Sequence, residues 1–372
     1  MLSKISGSRR QIKRDYWFSD DELIDLGIRS HTDAKKFISQ KAYQALRPEM
    51  DNVFWNEALR NKIFNINSFR AHGVKCAPLI GLLNPRYGFF SDGGTLNNAK
   101  QLSSYLEGER INKISMKHVV GGTGKDVYML EYVGGGEYLT PEKKLLNESD
   151  VDIIINNDQE SVKGYIIERK VELHSDLSII TSDALSSVRV ITLRKKDGSV
   201  KIQGAFIKLG VSGALTDHAS NGGIYAPINL TDGIISVGLK FTTGKPSEYI
   251  KVHPDSEVEF VGRKIPYWKE TVDLTIKAAK YSPGIHFIGW DLLVSVDGPC
   301  LLEGNVGNNM SIYQQLLGGV FVNGMGDDWH EHLGCQLPNG SLNWRLSHWD
   351  KGRKLSSYEM LIKKILSKLP GL

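Results

Sequence analysis

Hydrophobic and polar positions follow two different patterns along this chain, and the pattern changes after the first hundred residues. From Thr32 to about Leu46, and again from Asn52 to Gly73, apolar residues recur at helical spacing. A threonine at the start of the first segment and a glycine at the end of the second are typical helix boundaries. The pattern therefore predicts a mostly helical N-terminal region.

Short runs rich in β-branched residues dominate the chain that follows. Glycine-containing turns separate six such runs, which are predicted strands: "KISMKHVV", "KDVYMLEYV", "GYIIERKV", "VRVITLRKK", "KIQGAFIKLG" and "IISVGLKF". The Asp197-Gly198 and Asp232-Gly233 dipeptides predict antiparallel hairpins. Helices are predicted again at "YWKETVDLTIKAAKYSPG" and in the tail at "SSYEMLIKKILSKLP". Because strands and helices do not alternate regularly, the pattern predicts an α+β fold with antiparallel sheets.

Two more apolar runs, "HFIGWDLLVSVDGP" and "LLEGNVGNN", predict a β-hairpin with three oxygen-bearing side chains. Glu303 and Asn305 lie two residues apart, so they face the same side of their strand, and Asp291 lies on the other strand. Two carboxylates and an amide, without histidine or cysteine, suit Mg²⁺ or Mn²⁺ better than zinc. The alternative is an ordinary polar strand end.

The loop of this hairpin decides whether Asp291 joins the other two side chains. A two-residue Asp297-Gly298 loop places Asp291 opposite Gly304, on the wrong face. A three-residue loop that ends at Pro299, or an equivalent bulge, places it opposite Asn305. We expect the second register because only that register collects the three side chains into one site.

A glycine-rich segment lies between two predicted strands in "SMKHVVGGTGKDVYML". Lys117 lies on the first strand, and Gly121, Gly122, Thr123 and Gly124 form the loop. The backbone N–H groups of such a flap can close over phosphates. It is not a Walker A loop, because it leads into a strand and lacks the required Lys-Ser/Thr pair. A glycine-rich turn without a ligand is the alternative.

The run "GYIIERKVELHSDLSII" predicts an apolar strand that emerges into four residues with accessible backbone groups. These are Glu168, Arg169, Lys170 and Val171. Backbone N–H and C=O groups beside an apolar wall suit an adenine ring. A plain connection from strand to helix is the alternative.

Composition narrows the class of protein. The chain has 372 residues, of which 41% are hydrophobic and 24% charged, so we expect a soluble globular protein of two or three packed units. The net charge of +4 gives no argument for nucleic acid, and no run approaches the ~18 apolar residues of a membrane span. The basic N-terminus is predicted to be a solvated arm or a peripheral membrane contact. Three scattered cysteines predict reduced thiols and a cytoplasmic protein.

In their order along the chain, these segments resemble the ATP-grasp superfamily. The order is a strand lysine, a glycine-rich flap, a glutamate-led hinge, an aspartate on one strand and Glu-x-Asn on the next. "LRNKIFNINSFRAHGVKCAPLIGLL" resembles the segment that precedes this fold, with Lys62 at the position of a second nucleotide-contacting lysine. "DHASNGGIYAPIN" and "IGWDLLVSVDGPCLLEGN" resemble the sugar-transfer-associated branch, which occurs with bacterial surface-polysaccharide genes.

The resemblance implies an ATP-grasp fold, in which two α+β lobes hold ATP between antiparallel sheets after a mostly helical N-terminal region. It predicts a helical region over 1–60, a pre-grasp segment over 61–113, and a small lobe with the flap over 114–185. A large lobe with the metal site over 186–325 and a helical tail over 326–372 complete this division.

The resemblance also implies an ATP- and Mg²⁺-dependent carboxylate–amine ligase that acts through an acyl-phosphate in polysaccharide biosynthesis. A sugar acid or an amino-acid substituent would be the carboxylate, and the partners would be small-molecule or glycan carboxylates and amines, without nucleic acid. Mg²⁺ or Mn²⁺ would lie on the three-residue set of the hairpin, while the lysines, the flap and the hinge would hold ATP. A phosphotransferase and a nucleotide-binding protein without turnover are the alternatives.

Two cations on predicted apolar strands need partners. Arg189 in "SSVRVITL" and Lys208 in "AFIKLG" are costly there unless paired. Each is predicted to contact a phosphate or the substrate carboxylate, and a structural ion pair is the alternative.

Overall fold

The computed structural model describes residues 10–13, 16–120, 127–156, 164–181, 184–211, 222–241 and 247–333. The predicted flap residues Gly121, Gly122, Thr123 and Gly124 lie outside this range, as does the predicted C-terminal helix. Backbone contacts divide the chain into two compact units, Leu46–Gly318 and Met1–Ala45 with Gly319–Leu372. No helix in the described ranges is long and apolar enough to cross a bilayer.

The helices of the described residues are α1 (Asp20–Asp25), α2 (His31–Ala34), α3 (Gln40–Met50), α4 (Val53–Arg60), α5 (Lys62–Ala71), α6 (Ala99–Gly108), α7 (Glu148–Asn156), α8 (Ser175–Thr181), α9 (Trp268–Lys280), α10 (Met310–Leu317) and α11 (Met325–Leu333). The strands are β1 (Leu79–Leu83), β2 (Phe89–Phe90), β3 (Lys113–His118), β4 (Val127–Gly134), β5 (Glu137–Leu139), β6 (Leu145–Asn147), β7 (Tyr165–Arg169), β8 (Ser186–Arg194), β9 (Val200–Leu209), β10 (Ile224–Pro227), β11 (Gly238–Lys240), β12 (Glu248–Ile250), β13 (Phe287–Ser295) and β14 (Gly298–Asn305).

The first sheet has the strand order β2-β1-β7-β3-β4-β5-β6, and its pairs are antiparallel. Its apolar face packs with α6 and α7 into one core, which includes Leu102, Ile114 and Val151. On its other side, β3 and β7 bring Lys117 and Glu168 together. This sheet supplies the predicted lysine and the predicted hinge.

The second sheet has the order β12-β11-β10-β9-β8-β13-β14 and is also antiparallel. Every residue of β13 is buried, as expected for a strand that is covered on both faces and therefore forms a continuous apolar run. Trp290 is fully buried in the core of this sheet and donates from its indole nitrogen to Thr192 Oγ1 at 2.8 Å. Asp291 is thus a charged exception in an apolar strand.

Local sequence explains where the N-terminal helices break. The predicted helix from Thr32 divides into α2 and α3, and Ser30 rather than Thr32 caps α2. Asn61 separates α4 from α5: it ends the first helix, and its side chain accepts a hydrogen bond from Phe64 N at the start of the second. In the smaller unit, Ile12, Phe18 and Leu23 belong to a separate apolar cluster.

The α+β prediction with antiparallel sheets is confirmed. The predicted hairpins at Asp197-Gly198 and Asp232-Gly233 are present as the β8–β9 and β10–β11 pairs. The expectation of a mostly helical first hundred residues holds up to Ala71, but β1 and β2 follow within that stretch. The division into five segments stays a prediction.

Candidate nucleotide and metal site

The β13–β14 hairpin turns through two residues, Val296 and Asp297, because Ser295 pairs with Gly298. The expected three-residue loop is therefore wrong. A β-bulge at Leu302 then shifts the register, so that Asp291 lies opposite Glu303. The extra residue restores the side-chain parity that the shorter loop would have lost, and both carboxylates face the same side.

The three predicted metal ligands do converge. Asn305 Nδ2 donates to Asp291 Oδ2 at 3.1 Å and to Glu303 Oε1 at 3.1 Å. In the described ranges, no group of three or more His, Cys, Asp or Glu side chains could hold a metal ion. The candidate set differs from such a group because its third member is an amide.

Asp291 is held by two cations, one from the adjacent strand β8 and one from the next strand, β9. Arg189 on β8 lies directly opposite Asp291, and its Nε and Nη2 donate to the two carboxylate oxygens at 2.6 and 2.7 Å. Lys208 Nζ on β9 lies 3.1 Å from Asp291 Oδ1. Burial would raise the pKa of Asp291, but the two cations outweigh burial and lower it to about 2. Asp291 is therefore ionised over the physiological pH range.

A glycine permits this arrangement. A Cβ atom at Gly289 would lie 2.8 Å from Arg189 Nη1 and would also meet the side chain of Asn308, so a larger residue would displace these two side chains. Arg189 Nη1 in turn donates to Asn308 Oδ1 at 3.1 Å. In the Gly-Trp-Asp sequence on β13, the glycine thus leaves space for the Arg189 guanidinium, the tryptophan packs in the core, and the aspartate is the counter-ion of the guanidinium.

Glu303 is the more accessible carboxylate of the pair. Its side chain is 34% exposed, against 6% for Asp291, and Lys62 Nζ lies 3.8 Å from Glu303 Oε2. Burial lowers the pKa of Lys62, an effect that Glu303 opposes and Lys117 reinforces. A further negative group near Lys62 would therefore stabilise its charged form.

Lys117 is paired with the hinge glutamate. Its Nζ lies 2.7 Å from Glu168 Oε2, and the Ser115 hydroxyl donates to the same oxygen at 3.4 Å. Burial acts to lower the pKa of Lys117, but the Glu168 carboxylate outweighs it and the pKa is raised. Glu168 Oε1 is buried and has no hydrogen-bond partner among the described residues. Such an acceptor suits a ligand hydroxyl or amine.

The hinge backbone is partly occupied. Arg169 N donates to Pro78 O at 2.8 Å, and Lys170 N donates to Lys113 O at 3.0 Å. Neither N–H group is available to an adenine ring in this arrangement. Contacts from this segment would have to come from carbonyl oxygens and from Val171, and the side chains of Arg169 and Lys170 instead pair with glutamates on the surface.

Sequence reasoning missed Asn308, Arg47 and Arg60. Asn308 is 6% exposed and touches Arg189, and the amide-rich "GNVGNN" run was the available signal. Arg47 and Arg60 line a cavity beside β14, and nothing in their helical context distinguishes them from surface arginines.

The charges of the site sum to a net positive value. Four cations, Lys62, Lys117, Arg189 and Lys208, lie with three carboxylates, Glu168, Asp291 and Glu303. Such a site attracts an anion such as a triphosphate.

Comparison with known protein families confirms the resemblance that the sequence predicted. The sequence profile of the sugar-transfer associated ATP-grasp family matches residues 57–323, which is more than half of the chain. No curated protein sequence gives a significant match.

Three similar solved structures have low identity to this chain. A biotin carboxylase–ATP complex from Campylobacter jejuni has a TM-score of 0.46 and 12% identity, covering 80% of this chain and 52% of that one. A D-alanyl-alanine synthetase A from Vibrio cholerae has a TM-score of 0.45 and 11% identity, covering 74% and 65%. An N5-carboxyaminoimidazole synthase from Aspergillus clavatus, in complex with ADP and its ribonucleotide, has a TM-score of 0.40 and 10% identity, covering 82% and 60%.

In each case this chain spans less than two thirds of the solved protein. The assignment depends on the family match, which extends from before the helix with Lys62 through both sheets to the end of the site. The predicted motifs, their order and the profile match lead to one conclusion: this chain belongs to the sugar-transfer associated ATP-grasp family.

Proposed function

We propose that this protein is an ATP- and Mg²⁺-dependent ligase that activates a carboxylate as an acyl-phosphate and joins it to an amine. The observation that carries the proposal is the convergence of Asp291, Glu303 and Asn305. Arg189 and Lys208 contact the first carboxylate and Lys62 contacts the second, while Lys117 adds a fourth cation beside Glu168. Phosphoryl transfer requires positioning and charge stabilisation more than covalent help from the protein. This site offers both.

Glu303 and Asn305 have the side-chain oxygens that a divalent cation requires. Glu303 is partly exposed and directs an oxygen toward Asn305, whose side-chain amide also offers an oxygen. Asp291 can contribute only if Arg189 or Lys208 transfers its contact to another anion. When bound, Mg²⁺ would supply charge neutralisation at the phosphates of ATP.

The chain's own cations would hold the triphosphate. Lys62 and Lys117 come from two elements that meet at the site, α5 and β3, because Lys62 N donates to Val119 O, just beyond β3, at 2.9 Å. Both are largely buried, so their contacts with phosphate would be weakly screened by water. The unpartnered Glu168 Oε1 would accept from a hydroxyl or amine of the nucleoside.

The reaction balances as follows. A carboxylate oxygen attacks the γ-phosphorus, the bond to the bridging oxygen of ADP breaks, and ADP leaves. The amine nitrogen then attacks the acyl carbon, inorganic phosphate leaves with its electron pair, and the nitrogen loses one proton. Arg189 and Lys208 are proposed as the catalytic cations, because they are the residues closest to Asp291 and carry charge that a phosphoryl oxygen can take over.

The family description supports a role in sugar transfer, and we infer a sugar acid or an amino-acid substituent of a polysaccharide as the substrate class. The free thiols of Cys76 and Cys300 support a reducing, cytoplasmic setting.

The test is ADP release with a panel of uronic acids and amino acids, in the presence of hydroxylamine. A ligase forms hydroxamate in step with ADP, because hydroxylamine captures the acyl-phosphate. A stable phosphorylated product without hydroxamate would instead identify a phosphotransferase. Absence of both ATP binding and turnover would refute the proposal.

A further inference from the structure

A cavity of about 200 Å³ lies beside β14, next to the candidate metal site. Its polar lining includes three cations, Arg47, Arg60 and Lys62, but only one carboxylate, Glu303. Leu59 and Phe69 contribute apolar lining. We call this the basic cavity. Its formal charge is positive, and its volume suits a small molecule: a cavity of about 150 Å³ holds a benzene ring.

Arg47 is fixed in this cavity by groups on both sides. Asp51, one helical turn further on, has a fully buried side chain whose Oδ2 lies 3.6 Å from Arg47 Nε. The other oxygen of Asp51 accepts from His286 N at 3.0 Å. Gly307 has φ of +79°, and a Cβ atom there would lie 2.8 Å from Arg47 Nη1. The guanidinium therefore lies directly against the backbone of the loop that follows β14.

This guanidinium still has capacity for a ligand. Its Nε is buried and makes no hydrogen bond in the part of the chain that the structure describes, and the contact with Asp51 is longer than a hydrogen bond. Its side chain is 26% exposed, so it reaches the cavity without being free in solvent. A planar guanidinium held in this way suits bidentate recognition of a carboxylate.

The basic cavity and the candidate metal site share residues. Lys62, Glu303 and Asn305 line the cavity and also belong to the metal and phosphate site. A carboxylate in the cavity would therefore lie beside the metal and phosphate site, where it could receive the phosphoryl group. Arg47 also precedes the segment matched by the family profile, which begins at residue 57. The anchoring arginine thus comes from a part of the chain outside the family match.

We propose that the basic cavity binds the acid substrate, and that Arg47 and Arg60 hold its carboxylate. This inference rests on the proposed ligase function and names the substrate subsite of the same site. Arg47 is the specificity-determining residue because it is fixed by Asp51 and by the loop at Gly307. Arg60, which is exposed at the end of α4, adds the second positive charge.

The test measures the thermal unfolding midpoint with AMP-PNP and Mg²⁺, before and after each acid of a panel is added at up to 20 mM. The acids are glucuronate, galacturonate, glutamate and alanine, and each is compared with its neutral amide. At least one acid should raise the midpoint while its amide does not. Arg47→Ala and Arg60→Ala should weaken the acid's affinity about 10- to 100-fold, as expected for lost charge-assisted hydrogen bonds.

Three controls keep the result interpretable. Arg70→Ala removes an exposed arginine on α5 that does not line the cavity, and it should leave acid binding unchanged. Arg47→Lys keeps the charge but loses the planar fork, so it should restore the affinity only partly. Arg60→Ala removes an exposed side chain, so it tests the cavity even if Arg47→Ala destabilises the protein by leaving Asp51 buried and unpaired.

The outcomes separate this inference from the proposed function. If AMP-PNP with Mg²⁺ stabilises the unmutated protein but no acid does, the acid subsite is refuted and the nucleotide site stands. The subsite is also refuted if the acid shift survives in both alanine variants, or if inorganic phosphate alone produces a shift that no acid matches. If the nucleotide itself gives no shift, the proposed function and this inference both fail.

Discussion

The buried group of Asp291, Arg189 and Lys208 predicts a large loss of stability when its single negative charge is removed. Asp291→Asn keeps the shape of the side chain but leaves two cations with side-chain exposures of only 16% and 10%. The bidentate contact at 2.6 and 2.7 Å would lose its charge, and an amide can accept through only one of its two terminal atoms. Breaking a buried ion pair on one side costs about 3 to 5 kcal/mol.

The expected change is readily measurable. For units of about 150–250 residues, each kcal/mol lowers the unfolding midpoint by about 2 to 4 °C, so Asp291→Asn should lower it by at least about 6 °C. Urea unfolding can be monitored through tryptophan fluorescence, since Trp290 is fully buried next to Asp291. The midpoint should fall while the slope with urea stays constant.

A matched variant separates charge from packing. Replacing Arg189 and Lys208 with methionine and Asp291 with leucine removes all the charges and keeps similar volumes. Most of the lost stability should return, because apolar replacement of a complete buried ion group is often neutral. If Asp291→Asn proves as stable as the unmutated protein, the ion group contributes nothing to the fold and the reasoning is refuted.

Four further outcomes are expected. The pKa of Asp291 is lowered to about 2, so its stabilisation should be complete above the unfolded value of about 3.9 and disappear as the pH falls toward 2; Asp291→Asn should lack this acid dependence of the unfolding midpoint. Lys117→Ala should remove most of the thermal shift produced by ATP and Mg²⁺, whereas Lys113→Ala, on the same strand but paired with Glu172 at 3.1 Å, should retain it. Glu303→Gln should lower turnover by about 100- to 1,000-fold, equivalent to roughly 3 to 4 kcal/mol of transition-state stabilisation, with a smaller effect on nucleotide affinity; equal losses in both would contradict a role in the transition state. Mn²⁺ should bind weakly alone and more tightly with AMP-PNP, as followed by electron paramagnetic resonance, and equal affinity in both conditions would argue against coupling.

The sequence predicted that Asp291, Glu303 and Asn305 share one face of the β13–β14 hairpin. It did not predict the loop length or the bulge that place them there. The spacing of Glu303 and Asn305 fixes their common face, and the need for a third oxygen selected the register. The sequence around Asp297-Gly298 suggested the wrong loop, because the turn begins one residue earlier, at Val296. Leu302 forms the compensating bulge, and its apolar side chain resembles that of any strand residue.

Strand β1 illustrates why short apolar runs are ambiguous. "LIGLL" is buried at all five positions, and it pairs with β2 on one side and β7 on the other. A run of this length has no periodicity that separates a buried strand from part of a helix. Its place in the sheet depends on β7, a strand distant in sequence. The helical expectation for the first hundred residues failed at this point for that reason.

The cost of burying the charge of Arg189 predicts that this residue has a partner, but it does not predict which partner. An arginine on an apolar strand must have a partner, and the sequence therefore predicted either an anion from a ligand or an ion pair. The partner is Asp291, 102 residues away, because β8 and β13 are neighbours and the two residues are directly opposite. Strand order decides this contact, and strand order is not encoded in any local pattern.

The same contact explains how the candidate site can serve both an ion pair and a metal. Without a nucleotide, the oxygens of Asp291 are occupied by Arg189 and Lys208, which stabilise a carboxylate that burial alone would neutralise. A triphosphate offers both cations alternative oxygens in the same weakly screened environment. If either cation moved to phosphate, Asp291 would have a free oxygen beside Glu303 and Asn305, and these three side chains would hold a divalent cation that supplies the lost positive charge. In the proposed function, nucleotide and metal therefore favour each other's binding, because each supplies the charge that the other displaces.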